Sequence, residues 1–402
     1  MKKGLFIVFF ISVFTQIAEA QTIKTGVLVI GNGSNAVGAG IQSAVSGVKT
    51  TMLIQESGFI ISPPDKNINS GLEADFLQRM RLASGLKDST SKVYVDGSSA
   101  NAVLKSWTDS VKNLTVIRSV KWSRIKRSGN NWNVLLEDGR TIKAEVMVDA
   151  DASGNVSDAL GLSSRDTKLW QAFNYKNSLY RLSVGGGYEM NNTTANFIPL
   201  FNFLIPEQEN LIALDRRFGS MAEGQAGGAT AAYAVFFRTK TSQAVLKPIQ
   251  KELINYKLAV IPFADINHGD KNWSPIQYVG LTGFLKAVFV NGTANFMPEQ
   301  TVSTTEVKEP IKEFYYKAQI WFDDYKEDKM TLGAVLNMIC MVGNKALENT
   351  TNEVKKKWKT QYHFEKDFDL NREVTRREFA VLVDEYMSPF NVNVDRNGRV
   401  IR

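Results

Sequence analysis

The chain is poor in the residues that most often carry chemistry: one cysteine and two histidines in 402 residues. A single thiol closes no internal disulfide, so an oxidising compartment would not be used to staple this fold. Cys340 lies in the apolar stretch VLNMICMVG and reads as a buried small hydrophobe, not a nucleophile. With only His268 and His363, a histidine-based triad or a His-rich metal site has almost nothing to be built from, and no metal ligand is assigned. No nucleic-acid motif is found, and no low-complexity segment. The formal charge of +7 is spread along the chain, which argues for an ordinary soluble surface or an anionic envelope surface or polysaccharide, with no nucleic acid as partner.

Long apolar runs are also missing beyond the first residues. Lys2 and Lys3, an apolar run from Leu5 to Phe14, and Ala18-Glu19-Ala20 form a secretory signal pattern, so residues 1–20 are expected to be a cleaved signal peptide. The run is too short to span a bilayer, and no transmembrane segment is expected after cleavage. Lys-Lys in place of twin Arg points to unfolded, general secretory export, to the periplasm or cell surface of a Gram-negative bacterium. No cysteine follows the cleavage site, against a lipoprotein. Removing Lys2, Lys3 and Glu19 changes the charge from +7 to +6.

What is present begins with VLVIGNGSNAVGAGIQSA, residues 27–44. Val27 to Ile30 is a strand, Gly31, Gly33 and Ala36 make G-x-G-x-x-A, and Val37, Ile41, Ala44, Val45 and Val48 recur at helical spacing. Gly31 permits the tight turn, Gly33 lets a pyrophosphate approach bare backbone, and Ala36 and Gly40 keep the helix close to the strands. Exposed N–H groups at the helix start can then hold a diphosphate. The ribose acceptor should end the second strand, TTMLI; Gln55 stands at the usual place and Glu56 one residue later. The alternative is a glycine-rich turn that binds nothing.

Further along, SGNN and EDGR mark tight turns between strands, and AEVMVDA is another buried strand. VMVDADASGNVSDALGL and ENLIALDRRFGSMAEGQAGGATAAYAV follow. With the first turn, these stretches resemble secreted FAD-dependent oxidoreductases of the glutathione-reductase-like fold, many of them from Bacteroidetes-type bacteria. The first is similar to that family's DATxxGD…ALAG segment, with Asp149, Ala150 and Gly154 in register. The second is similar to NLLVAGR…MGQAAGxAAALAV, with Gly224, Gln225, Ala226 and Gly228 matching. The resemblance implies FAD as cofactor, its adenosine diphosphate at Gly31–Ala36 and its flavin end near Gly224–Gly228, in an oxidoreductase acting on an unidentified small-molecule substrate. It names no catalytic residue here. Two departures stand out: ESGFIISPPDKNINSG replaces the family's Gly-Gly-x-x-Thr-like loop, and Asp215 replaces the glycine of VAGR. Residues 161–200, polar and with weak strands, remain as a short substrate region.

Two C-terminal stretches resemble S-layer homology modules. Phe263, Asp265, Trp273, Ile276, Gly283, Phe296 and Pro298, then Val302 to Glu306, follow one copy; Val374, Thr375, Arg376 and Glu378 follow a second, partial one. Ser303-x-x-Glu306 and Thr375-x-x-Glu378 are capping boxes, and Phe379, Leu382, Val383 and Tyr386 form one buried stripe. The resemblance implies that Arg376 contacts acidic cell-wall glycan; surface exposure or an internal pair is the other reading. The expected architecture is α/β: a Rossmann-like FAD-binding fold over 21–245 with a reduced substrate region at 161–200, then mainly helical modules over 246–325 and 326–402. A non-catalytic envelope protein on a worn flavoprotein scaffold is the competing expectation.

Overall fold

The computed structural model describes residues 21–86, 95–162, 168–188, 194–206, 208–216 and 219–401. The expected signal peptide lies outside them. In chain order the first half reads β1 (Thr22–Ile30), α1 (Ser34–Val45), β2 (Thr50–Ile54), α2 (Gly71–Ala83), α3 (Gly97–Ser110), β3 (Leu114–Arg118), β4 (Trp122–Ser128), β5 (Asn131–Leu136), β6 (Thr141–Asp149), α4 (Asn155–Ala159), β7 (Gln171–Ala172), β8 (Ser183–Tyr188), β9 (Ala195–Pro199), β10 (Leu211–Ala213) and α5 (Met221–Phe236). The second half adds α6 (Leu246–Asn255), α7 (Trp273–Thr282), β11 (Val288–Val290), β12 (Thr293–Asn295), α8 (Thr304–Phe314), α9 (Tyr316–Asp324), α10 (Leu332–Gly343), α11 (Leu347–Lys357) and α12 (Arg376–Met387).

The main sheet has the order β3-β2-β1-β6-β5-β4, with β1, β2, β3 and β6 parallel. The nine-residue β6 serves two neighbours on one edge: its first half pairs antiparallel with β5 and its last residues pair parallel with β10. Strand order reverses at β1, whose C-terminal end is therefore the topological switch point where an open α/β sheet takes its ligands. The turns expected at SGNN and EDGR are present, with Gly129 and Gly139 at positive φ.

Residues 161–200 are less weak than their composition suggests. β7, β9 and β8 form a three-stranded antiparallel sheet in which β8 and β9 are buried along their whole length. The run Gly185-Gly186-Gly187 hides strand character but is needed for packing: a Cβ on Gly186 would stand 2.8 Å from the Pro262 nitrogen. Burial comes from partners far along the chain, which local pattern cannot show.

The C-terminal part departs further from expectation. Three helices, not two, start from one point. Val302 N–H donates to the Val374 carbonyl (3.0 Å), Val374 N–H to Met330 (2.9 Å), and Met330 N–H to Val302 (3.1 Å), a closed ring of three hydrogen bonds. A second ring runs alongside, from Thr304 to Asp328, Leu332 to Arg372 and Arg376 to Gln300. Ser303, Thr331 and Thr375 cap α8, α10 and α12 from this ring, and the Val302, Met330 and Val374 side chains are fully buried. The third start, MTLGA, has Ala334 where the other two have glutamate, so no capping box announces it. The ring joins residues 300–304 to 372–376 across the expected boundary at 325/326. One continuous apolar core runs from Val27 to Phe390.

Candidate functional site

Gly31 follows β1 at φ 144, where a Cβ would stand 2.3 Å from the Ala150 carbonyl oxygen at the end of β6. Only glycine fits there, as the turn requires. Gly33 is the N-cap of α1; a Cβ on it would meet Asn35 Oδ1 at 2.7 Å. Gly40 packs α1 on β2, its Cβ position 2.5 Å from Met52 Sδ, and Ala36 is fully buried. Gly31 and Gly33 keep part of their backbone at the surface, whereas Asn32, Ser34 and Asn35 are buried.

The segment after β2 lies along this turn. Ile60 bridges Gly33, Ile60 N–H donates to the Asn32 carbonyl (2.9 Å), and Ser62 N–H donates to Ser34 Oγ (2.9 Å). The Ile60 side chain is mostly exposed. Gln55 is half-buried and Glu56 exposed just past the end of β2, and neither side chain has a hydrogen bond among the described residues. These features fit the adenosine-diphosphate half of FAD: a glycine turn at the switch point, backbone at the surface, and a free carboxylate one residue beyond the second strand.

Other expected contacts are placed differently. Asp149 is buried and accepts from Ser157 Oγ (2.7 Å) and Asp151 N–H (3.1 Å); burial raises it to about 6. Gly154 caps α4 in the left-handed region at φ 80, and a Cβ would meet Arg216 Nη1 at 2.6 Å. Both therefore shape the end of β6 from within. Gly224, Gln225 and Ala226 require a correction, because the structure gives them packing roles: Gly224 and Gln225 meet α1, and Ala226 is fully buried on the side of β8. A Cβ on Gly224 would lie 1.9 Å from the Asn35 carbonyl oxygen, and one on Gly228 2.5 Å from that of Ala39. Gln225 is fully buried; its Oε1 accepts from Leu72 N–H (2.9 Å) and its Nε2 donates to Gln42 (3.0 Å). Small residues there serve backbone-to-backbone packing of two parallel helices, whose N-termini consequently converge.

At that convergence stands Glu223, where the family segment has Met. It is 0% exposed. Its Oε1 accepts from Asp215 N–H (2.6 Å) and its Oε2 from Trp170 Nε1 (3.1 Å), with the Asn35 amide as a third partner. Asn35 Nδ2 in turn donates to the Asp215 carbonyl (3.1 Å). Burial raises the Glu223 carboxyl to about 8, against the pull of those donors. Sequence reasoning passed over this residue, although it is the one acid in an otherwise small and apolar helix.

Arg376 also requires correction. It is 2% exposed and does not face solvent. Nε donates to the Phe296 carbonyl and Nη2 to that of Lys286 (2.6 Å each), and Nη1 pairs with Glu306. Burial pushes it down to about 10. Its partners lie 70 to 90 residues away in sequence. Among the described residues no group of three or more His, Cys, Asp or Glu is placed to hold a metal, and no helix is long and apolar enough to cross a membrane.

Residues 26–175 match the family model described as FAD dependent oxidoreductase, a span that ends before α5. None of the curated proteins matches the chain. Among solved structures it is similar to GidA of Aquifex aeolicus (19% identity, 31% of this chain and 25% of that one, TM-score 0.22). It is similar to T. acidophilum thioredoxin reductase (12%, 32% and 35%, 0.22). A third is p-nitrophenol 4-monooxygenase PnpA from Pseudomonas putida DLL-E4 (13%, 61% and 87%, 0.31). The chain spans about a quarter of the length of the first of these, GidA. The cofactor to which the matched stretch points is FAD.

Proposed function

We propose that this chain binds FAD through its adenosine-diphosphate half and that its flavin end has been rebuilt. The observation that carries the reading is the Gly31–Ala36 turn at the switch point, with surface backbone and a free Glu56 beside it. Gly31 and Gly33 would hold the diphosphate against their surface backbone, and Glu56 the ribose hydroxyls. When bound, FAD supplies hydride transfer at its isoalloxazine ring. Such a chain would be an exported oxidoreductase-like protein acting on a small molecule. No described side chain is assigned as its acid or base.

The buried Glu223 favours a second reading, a flavoprotein scaffold kept for binding and not for turnover. A carboxyl group already fills the place where two helix N-termini converge and takes the Asp215 and Trp170 donors there, which leaves less room for a phosphate. Attachment to envelope polysaccharide through S-layer-homology-like modules would then use surfaces other than Arg376. FAD titration, followed by absorbance and quenching of flavin fluorescence, tests the proposal on wild type and Glu56→Ala. A yellow wild type and about tenfold weaker binding by the variant support it, loss of one charge-assisted hydrogen bond being worth that much. A wild type that takes up no FAD overturns it.

A further inference from the structure

The end of the α/β layer opposite the glycine turn carries an unclaimed apolar surface. α5 finishes in Tyr233-Ala234-Val235-Phe236-Phe237, and Phe236 and Phe237 are 66% and 57% exposed. Their rings lie 5.1 Å apart, and the Phe237 ring is 4.6 Å from that of Tyr233, so three aromatics form one cluster. Val48 and Val235 both lie within 3 Å of the Cβ position of Gly26, so the chain around Lys49 and the end of α5 meet at this end of the layer. Val45, at the end of the parallel helix α1, is exposed too, and Tyr256 reaches it through a hydrogen bond to its carbonyl (2.9 Å).

Cations predominate around this cluster. No aspartate or glutamate occurs from Gly224 to Lys251. Arg238 and Lys240 directly follow the two phenylalanines; with Lys49 they are exposed and form no ion pair among the described residues. Two acids bond to neutral groups: Glu252 accepts from Ser46 and Gln42, and Glu209 from Ser242. Arg238 closes α5 in the left-handed region, φ 52, with Arg238 N–H donating to Val235 and Thr239 N–H to Ala234. That position favours glycine; an arginine there accepts backbone strain and sets a cation at the negative end of the helix dipole.

We infer that this end of the molecule docks on an anionic lipid bilayer, with Phe236 and Phe237 entering the headgroup region and Arg238, Lys240 and Lys49 facing lipid phosphates. Exposed aromatics set among unpaired cations suit that boundary, where rings leave water while charges stay in it. Basic residues at an anionic surface add attraction that falls with salt. The glycine turn, at the opposite end of β1, would face away from the membrane.

The test is co-sedimentation with vesicles of phosphatidylcholine alone and of phosphatidylcholine with about a third phosphatidylglycerol. The chain is taken from Gln21, where the described structure starts, so that the apolar run of residues 5–14 contributes nothing. Partitioning should be at least about tenfold higher on the anionic vesicles at low salt and collapse at high salt. Phe236→Ser/Phe237→Ser and Arg238→Gln/Lys240→Gln should each lower it about tenfold or more. Circular dichroism confirms that these surface variants remain folded. Wild type left in the supernatant, or phenylalanine variants that bind as well as wild type, overturns the inference. So does a concentration-dependent dimer that the serine variants abolish, which would assign the surface to a second copy of the chain.

Discussion

Replacing Glu223 by Gln should remove the share of the fall in stability with rising pH that this carboxyl produces. The wild-type carboxyl, raised from an ordinary 4.5 to about 8, binds a proton in the folded chain that the unfolded chain has released throughout that window. Stability therefore falls as pH rises from 4.5 to 8, by about 1.4 kcal/mol per pH unit and roughly 4–5 kcal/mol in all. Gln carries no charge and loses nothing over this range. Its amide keeps one acceptor for Asp215 N–H but turns a nitrogen towards Trp170 Nε1, a pH-independent loss of about 1 kcal/mol. The variant should be slightly less stable than wild type near pH 5 and several kcal/mol more stable near pH 8.5. Urea unfolding across that range measures this. Burial also raises Glu73, Asp384 and Asp149, to about 8, 7 and 6, but these are common to both proteins and cancel in the difference. Two parallel profiles would show that Glu223 does not change protonation on folding, and the reasoning would fail.

Arg376→Ala removes a buried cation and its bonds to Phe296, Lys286 and Glu306, and should destabilise the chain by about 3–5 kcal/mol in thermal or urea unfolding. A loss below 1 kcal/mol would mean the guanidinium is solvated after all. Gly224→Ala should force α1 and α5 apart, since its Cβ position lies 1.9 Å from a backbone oxygen; at least about 3 kcal/mol, or failure to accumulate folded protein, is expected. Thr331→Ala removes the side-chain cap of α10 and should cost about 1 kcal/mol in urea unfolding, as a similar loss does at other helix starts.

The glycine turn was legible because its signal is local: a strand, three spaced small residues and a helix within eighteen positions. Two of the three capped helix starts were legible for the same reason, since Ser303 and Thr375 each stand three residues before a glutamate. The third, at Thr331, lacks that acid and shows itself only through backbone bonds to residues 28 and 44 positions away. For Arg376 the sequence left a glycan contact and an internal pair open, because a guanidinium beside a helix start serves either, and the carbonyls that decide for the internal one come from Lys286 and Phe296. The matching glycines of α5 carry a packing role that the structure shows, whatever contact the family pattern also implies. Glycine is demanded there by another helix, so the same residue satisfies the family pattern whichever way the nearby site has changed.

The two rings of hydrogen bonds set an order on folding. During synthesis residues 300–304 and 328–332 emerge with one side of each triangle made and two amide or carbonyl positions waiting. Val302 N–H and the Met330 carbonyl lack their ring partner until Val374 arrives, more than forty residues later, flanked by the Arg372 and Arg376 that complete the second set. Slower delivery of residues 372–376 should lengthen the time the apolar side chains of Val302 and Met330 are exposed, and with it the risk of aggregation.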